Sequence, residues 1–253
     1  MTDLLIWADL TVTEFWLLLA ITTGAGIVRG FSGFALSAVI MASASIFIPP
    51  VQLIPICFWL EFCASIMMGR GSWQEADRGL VFGLVISSAI GTPVGLYLTT
   101  TLPVDTSKTI VLILVLVLAV LLLAKVRFAF LATKPGLYLA GLVAGIIGGL
   151  AAVAGMVVAL YVLSQDAGAR KMRAALVLYL FITLATSLVY QIYFDVMTWT
   201  AIQRSAVFAI PTFAGVWLGQ RFFVPKLEKY YRPFCLTLLT GLALAGLVRT
   251  TLS

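Results

Sequence analysis

From Leu137 to Gln165 the chain carries no charged residue, and from Val111 to Ala124 it carries only aliphatic side chains. Runs that approach or exceed the ~20 residues a helix needs to cross a hydrocarbon core leave few options. Inside lipid every backbone N–H and C=O must be satisfied within the protein, so only helices and closed barrels can span it. Barrel strands alternate with a period of two, whereas these runs are continuous, so helix is expected. Composition agrees: 62% of residues are hydrophobic and 10% charged, where a soluble domain holds about a quarter charged. The chain reads as an all-α membrane protein.

Several functions are excluded at this point. With no histidine and no acidic cluster, neither a metal site nor a cofactor is expected. Cys57 and Cys63 would lie about 9 Å apart along one helix, too far for a disulfide. With Cys235 they read as small core residues. No G-x4-G-K-[ST] occurs, so the chain is no ATPase by itself. No nucleophile stands beside a base, so no enzyme is expected. The net charge of +6 reads as basic loops on one side of a membrane rather than as a nucleic-acid surface. Asp3, Asp9 and Glu14 precede the first basic residue, the reverse of a cleavable signal.

The apolar segments are 14–48, 51–69, 79–101, 107–125, 136–164, 174–194, 201–222 and 233–250. The first and fifth exceed a single untilted crossing, and each contains a glycine-rich stretch, Gly24 to Gly33 and Gly141 to Gly149. Glycine weakens helix and permits bends, so each is read as two half-helices that dip in and return to the same face. The basic residues support this. With eight simple crossings, lysines and arginines divide almost evenly between the faces. With two returning segments, one face keeps only Lys108, Arg204 and Arg249, and the other takes every remaining basic residue except Arg29. That asymmetry is what the positive-inside rule expects. It places the basic face in the cytoplasm of a plasma-membrane protein and both termini outside. Two complete short spans in place of each hairpin give the same sidedness.

The halves also match each other. Gly26, Gly30 and Gly33 fall on Gly141, Gly145 and Gly148 at one spacing, Trp73 and Arg78 on Trp199 and Arg204, and Gly91 and Gly95 on Gly215 and Gly219. A hairpin plus three spans crosses an odd number of times, so a duplicated copy must be inverted. The expected fold is two inverted repeats, 14–127 and 134–250, each a broken, re-entrant hairpin plus three transmembrane helices. This is a plan common among secondary transporters.

Two such halves, each opening on a glycine-rich break and carrying a Trp-containing loop such as Trp73 to Arg78, resemble the sulfite exporter TauE/SafE family of permeases over residues 14 to 250. The second half departs from the pattern at the alanine-rich stretch Ala151 to Ala154. The resemblance implies transport of small sulfur-containing anions: sulfite, sulfoacetate, other organosulfonates or thiosulfate.

The residues reach a compatible site. Helix N-termini carry partial positive charge and free N–H groups. Half-helices starting near Ser32–Gly33 and Gly148–Gly149 aim these donors inward, with Gly30, Gly33, Gly148 and Gly149 leaving backbone open and Ser32 adding a hydroxyl. Arg29 lies deep in apolar sequence, where a guanidinium either meets an oxyanion or is held by a carboxylate or backbone carbonyls. Glu61 is the one acid near the middle of a span. It reads equally as a proton-coupling carboxylate, as the counter-ion of Arg29 or as a residue facing a wet loop. Thr183, Thr186 and Tyr190 fall at helical spacing and form a candidate polar stripe, although interhelical bonds account for them as well. Trp73 and Trp199 read as interfacial tryptophans and Arg221 as an anchor.

An interior-negative potential favours anion exit by about 2.3 kcal/mol per charge per 100 mV, which points to export. An anion channel of the same architecture and a proton-coupled organosulfonate importer are the competing readings. The expected partners are the anion and the lipid bilayer, with a homodimer left open.

Overall fold

The computed structural model describes residues 7–69, 71–165, 169–222 and 228–252, and these are almost entirely helical. The first half contains α1 (Val12–Ser32), α2 (Leu36–Ala44), α3 (Pro50–Met68), the single turn α4 (Ser72–Glu75), α5 (Arg78–Thr101) and α6 (Val104–Leu123). The second contains α7 (Lys134–Ala151), α8 (Ala154–Ser164), α9 (Ala169–Tyr193), α10 (Trp199–Phe222) and α11 (Glu228–Leu252). Helices α1, α3, α5, α6, α7, α9 and α10 are long and apolar enough to cross a bilayer, seven among the described residues. The chain is a multi-pass membrane protein. Its outer surface agrees: Phe82, Ile86, Ile90, Val94 and Tyr97 make an exposed apolar stripe along α5, a surface that lipid accepts and water does not.

Local signals start the helices where the sequence places them. Thr11 and Glu14 form a reciprocal capping box at α1, Asp77 caps α5 through the Leu80 amide, and Thr133 caps α7 through the Gly136 amide. Each satisfies a backbone donor that the first helical turn leaves free.

Both long segments are broken, but later than the glycines suggested. α1 runs through Gly24, Gly26 and Gly30 without interruption and ends only at Gly33, which is left-handed at φ 82°. Ala35 follows at φ 74°, and α2 begins at Leu36. α7 likewise runs through Gly141 to Gly149 and is capped by Ala152 at φ 55°, after which α8 begins at Ala154. The helix starts therefore lie at Leu36 and Ala154. Ser32 and Gly33 belong to the end of the first long arm, and Gly148 and Gly149 to the last turn of the second. The arms are also unequal: the outgoing ones hold 21 and 18 residues, the returning ones 9 and 11.

Both hairpins come back to the end they started from. Arg204 reaches the Ala8 carbonyl (3.0 Å) and Asp9 carbonyl (2.8 Å) ahead of α1, and the Gln52 side chain (3.1 Å) in the first turn of α3. At the opposite end of the fold, the Phe128 amide donates to Ser164 Oγ at 3.3 Å and Gln165 Nε2 donates to the Leu131 carbonyl at 2.9 Å. These contacts tie the residues before α7 to the end of α8.

The glycines explain packing instead. A Cβ at Gly26 would stand 2.6 Å from the Thr212 carbonyl oxygen, and one at Gly30 closer still to that of Val216. At Gly145 and Gly149 the obstacles are the carbonyls of Ser88 and Thr92. Thus α1 lies backbone to backbone on α10 through Gly26, Gly30, Gly215 and Gly219, and α7 on α5 through Gly145, Gly149, Gly91 and Gly95. Lipid tails give helices no hydrophobic reason to associate, so close backbone approach and dispersion must supply it. The two crossings coincide when Gly26 and Gly30 are set on Gly145 and Gly149, one helical turn beyond the register read in the sequence. A glycine spacing of four looks the same one turn along, which is why the sequence did not distinguish them.

Candidate functional site

Arg29 is 0% exposed. Its Nη1 donates to the Gly33 carbonyl, its Nη2 donates to Ser65 Oγ at 3.1 Å, and its Nε lies 3.0 Å from Glu61 Oε2. The last contact is close but not aligned as a hydrogen bond, so its attraction is coulombic. Removing either charge leaves the other stranded in a low-dielectric interior, at about 3–5 kcal/mol. Of the three readings of Glu61, the counter-ion of Arg29 is the one whose geometry is present.

Glu61 also faces inward. Its Oε1 accepts from Ser37 Oγ at 3.1 Å, and both residues line a cavity between the helices whose wall is mainly apolar, with polar groups set into it. From α3 the wall takes Ile54, Cys57, Phe58 and Glu61; from α5, Ser88 and Thr92; from the second break, Gly148, Ala152 and Ala154. Helix α9 contributes Tyr179, Thr183, Ser187 and Gln191, a polar ladder stepping four residues at a time. Tyr179 is 0% exposed, and its hydroxyl pairs with Ser88 Oγ at 2.9 Å.

The two return helices begin at this cavity. Ser37 is the second residue of α2 and Ala154 the first of α8, and both line it. Their ends approach each other: a Cβ at Gly155 would lie 3.4 Å from that of Phe34. Each first turn carries amides with no intrahelical partner and the positive end of a peptide dipole. The cavity measures about 70 Å³. At 10–15 Å³ per water, that is room for about five to seven waters.

Among the residues singled out from the sequence, Glu61, Gly148 and Thr183 line the cavity. The others stand outside its wall, for visible reasons. Arg29 is held behind Glu61. Gly30 is pressed against α10, and its carbonyl accepts from Arg173 Nη2 at 2.6 Å. Ser32 Oγ is occupied by the break itself, 2.7 Å from the Val28 carbonyl and 2.6 Å from that of Phe34. Gly33 caps α1. Gly149 packs on α5, and its carbonyl accepts from Thr99 at 3.2 Å. The stripe on α9 is shifted: Thr183 is on it, but Ser187 and Gln191 continue it in place of Thr186 and Tyr190.

Sequence reasoning missed Ser37, Ser88, Thr92 and Ser187. Only Ser187 had a legible signal, its place four residues from Thr183 and from Gln191. Among the described residues no group of His, Cys, Asp and Glu is arranged to hold a metal ion.

The family model for the sulfite exporter TauE/SafE matches residues 18–246, which takes in both breaks and every residue of the cavity wall. Neither curated proteins nor solved structures gave a match.

Proposed function

We propose, from the premise that the chain belongs to the sulfite exporter TauE/SafE family, that the central cavity holds a small sulfur oxyanion in transit across the plasma membrane. The observation that carries this reading is the meeting of the α2 and α8 first turns at one cavity. An anion there receives backbone N–H donors from two directions, aided by two dipoles of about half a positive charge each. Arg29, behind Glu61, balances that carboxylate and does not touch the ligand. Glu61, Thr183 and Gly148 are the expected substrate-facing residues, joined by Ser37, Ser88, Thr92 and Tyr179.

A cavity with room for about five to seven waters takes sulfite. Direction follows from charge: an anion leaving an interior-negative cell gains about 2.3 kcal/mol per charge per 100 mV, so export needs no coupled ion. The expected orientation, with the basic face in the cytoplasm and both termini outside, rests on the distribution of lysine and arginine. An inverted duplication is supported by the two glycine crossings, in which each hairpin packs on a helix of the other half.

The test is counterflow of labelled sulfite in proteoliposomes holding the purified chain. A carrier concentrates label against an unlabelled internal pool and saturates. An ohmic conductance of many ions per opening favours the channel reading, and no sulfite-dependent flux refutes both.

A further inference from the structure

We infer that the second hairpin carries a phospholipid site: a groove that takes one acyl chain of an anionic lipid, with the headgroup at Lys125, Arg127 and Lys134. The site lies apart from the central cavity and does not depend on what that cavity carries. It begins in the connection between α6 and α7. From Lys125 to Lys134 the sequence sets three cations among large apolar side chains, with no acidic residue. All three cations are exposed, and so are Phe128 (43%) and Phe130 (54%). Water is a poor solvent for that mixture. The headgroup layer of a membrane suits it, because cations meet phosphate there while aromatic rings reach the acyl boundary.

The two phenylalanines form the mouth of a second cavity, of about 310 Å³, between α6, α7 and α8. Its floor is one face of α7, where Leu139, Val143 and Ile147 follow at intervals of four and run about 12 Å along the helix. Leu139 is 46% and Val143 36% exposed, so the groove opens on the outer surface of the bundle. No polar side chain lines it. A water there would lack the roughly two to four hydrogen-bond partners it needs, whereas an acyl chain needs none. The volume stands at the low end of ligand pockets, which suits one chain rather than a whole lipid.

Charge decides which lipid enters. Leaving the bilayer for an apolar groove gives a chain no hydrophobic gain, because lipid tails are as apolar as the wall. Selection must come from the headgroup, and each cation near the surface favours an anionic lipid about fivefold. The mouth is held in place by hydrogen bonds from the Phe128 amide to Ser164 and from Gln165 to the Leu131 carbonyl, which join it to the end of α8. Val157 of α8 lines the groove, and Ala154, one turn earlier, lines the central cavity. A bound chain therefore braces the return helix of the second hairpin from its lipid side.

The experiment uses full-length protein stripped of lipid in detergent and titrated with phosphatidylglycerol or phosphatidylcholine of identical chains. Native mass spectrometry and thermal unfolding read the result. Phosphatidylglycerol should be retained at about tenfold lower concentration than phosphatidylcholine and raise the unfolding temperature by several degrees. Lys125→Gln, Arg127→Gln and Lys134→Gln together should abolish that preference. Val143→Trp, which fills the groove, should lower lipid retention about tenfold or more at an unchanged lipid-free unfolding temperature; Leu139→Trp serves the same purpose should Val143→Trp not fold. Equal retention of the two lipids by the unsubstituted protein overturns the inference. So does full retention by a folded groove variant, or equal stabilisation by glycerol 3-phosphate, which has the charge but no chain. A dimer that forms without lipid and is lost in Val143→Trp would give the groove to a second copy of this chain and overturn it too.

Discussion

The two hairpins are built alike and furnished differently. Each has a long outgoing arm, a left-handed break and a short return helix that starts at the cavity. With Gly30 set on Gly149, Arg29 falls on Gly148. The first hairpin thus keeps a buried cation, committed to Glu61, Ser65 and the Gly33 carbonyl, where the second has bare backbone in the cavity wall. One hairpin supplies fixed charge and the other supplies room. A site assembled from two equal halves would hold two guanidiniums or none. This one has an ion pair on one side, with the carboxylate of Glu61 at the wall, and backbone on the other.

That contrast can be broken in order of expected effect. Arg29→Ala strands Glu61 and should cost about 3–5 kcal/mol, read as a fall in thermal unfolding temperature in detergent. Replacing Arg29 and Glu61 together by Met should recover most of that loss, since both charges leave at once, yet transport should not return. Recovery of sulfite flux by the double variant would assign the pair a purely structural role.

The glycine crossings test the likeness. Gly30→Val and Gly149→Val each drive a side chain into a facing carbonyl and should each destabilise by about 1–3 kcal/mol or more. Tolerance at one position alone would show that the crossings are not equivalent. The smallest effect lies at the breaks. Gly33→Ala should destabilise by about 1–2 kcal/mol, because left-handed backbone disfavours a Cβ. Ala152→Gly should change stability in the opposite direction by about 1 kcal/mol at most, after the added chain entropy of glycine. Equal signs in unfolding measurements would mean that the two caps are not alike.

Much of the fold was legible because lipid permits so few solutions. Five of the six ordinary spans, both broken segments and their return to the end they left were readable from run lengths and basic residues; the sixth, 233–250, falls in α11, which is not among the seven helices long and apolar enough to cross a bilayer. The position of the breaks was not. A glycine in a membrane helix marks either a bend or a tight crossing, and here Gly26, Gly30, Gly145 and Gly149 serve crossings while the bends fall at Gly33, Ala35 and Ala152. The cavity was less legible. Ser37, Ser88 and Thr92 lie on different helices, and hydroxyls are common enough in membrane helices that none stands out until packing brings them together. Arg29 and Glu61 were both visible as anomalies, but only the crossing of α1 and α3 pairs them.

The close approach of the α2 and α8 starts has a kinetic consequence. Two like dipole ends meet there beside the Glu61 carboxylate, and neither the dipoles nor the Arg29–Glu61 pair carries net charge. Rearranging the empty site therefore moves no net charge through the hydrocarbon, whereas rearranging the loaded one moves the charge of its anion. In a carrier built on this site the loaded outward step should quicken as the interior-negative potential grows, and the empty return should not respond to it.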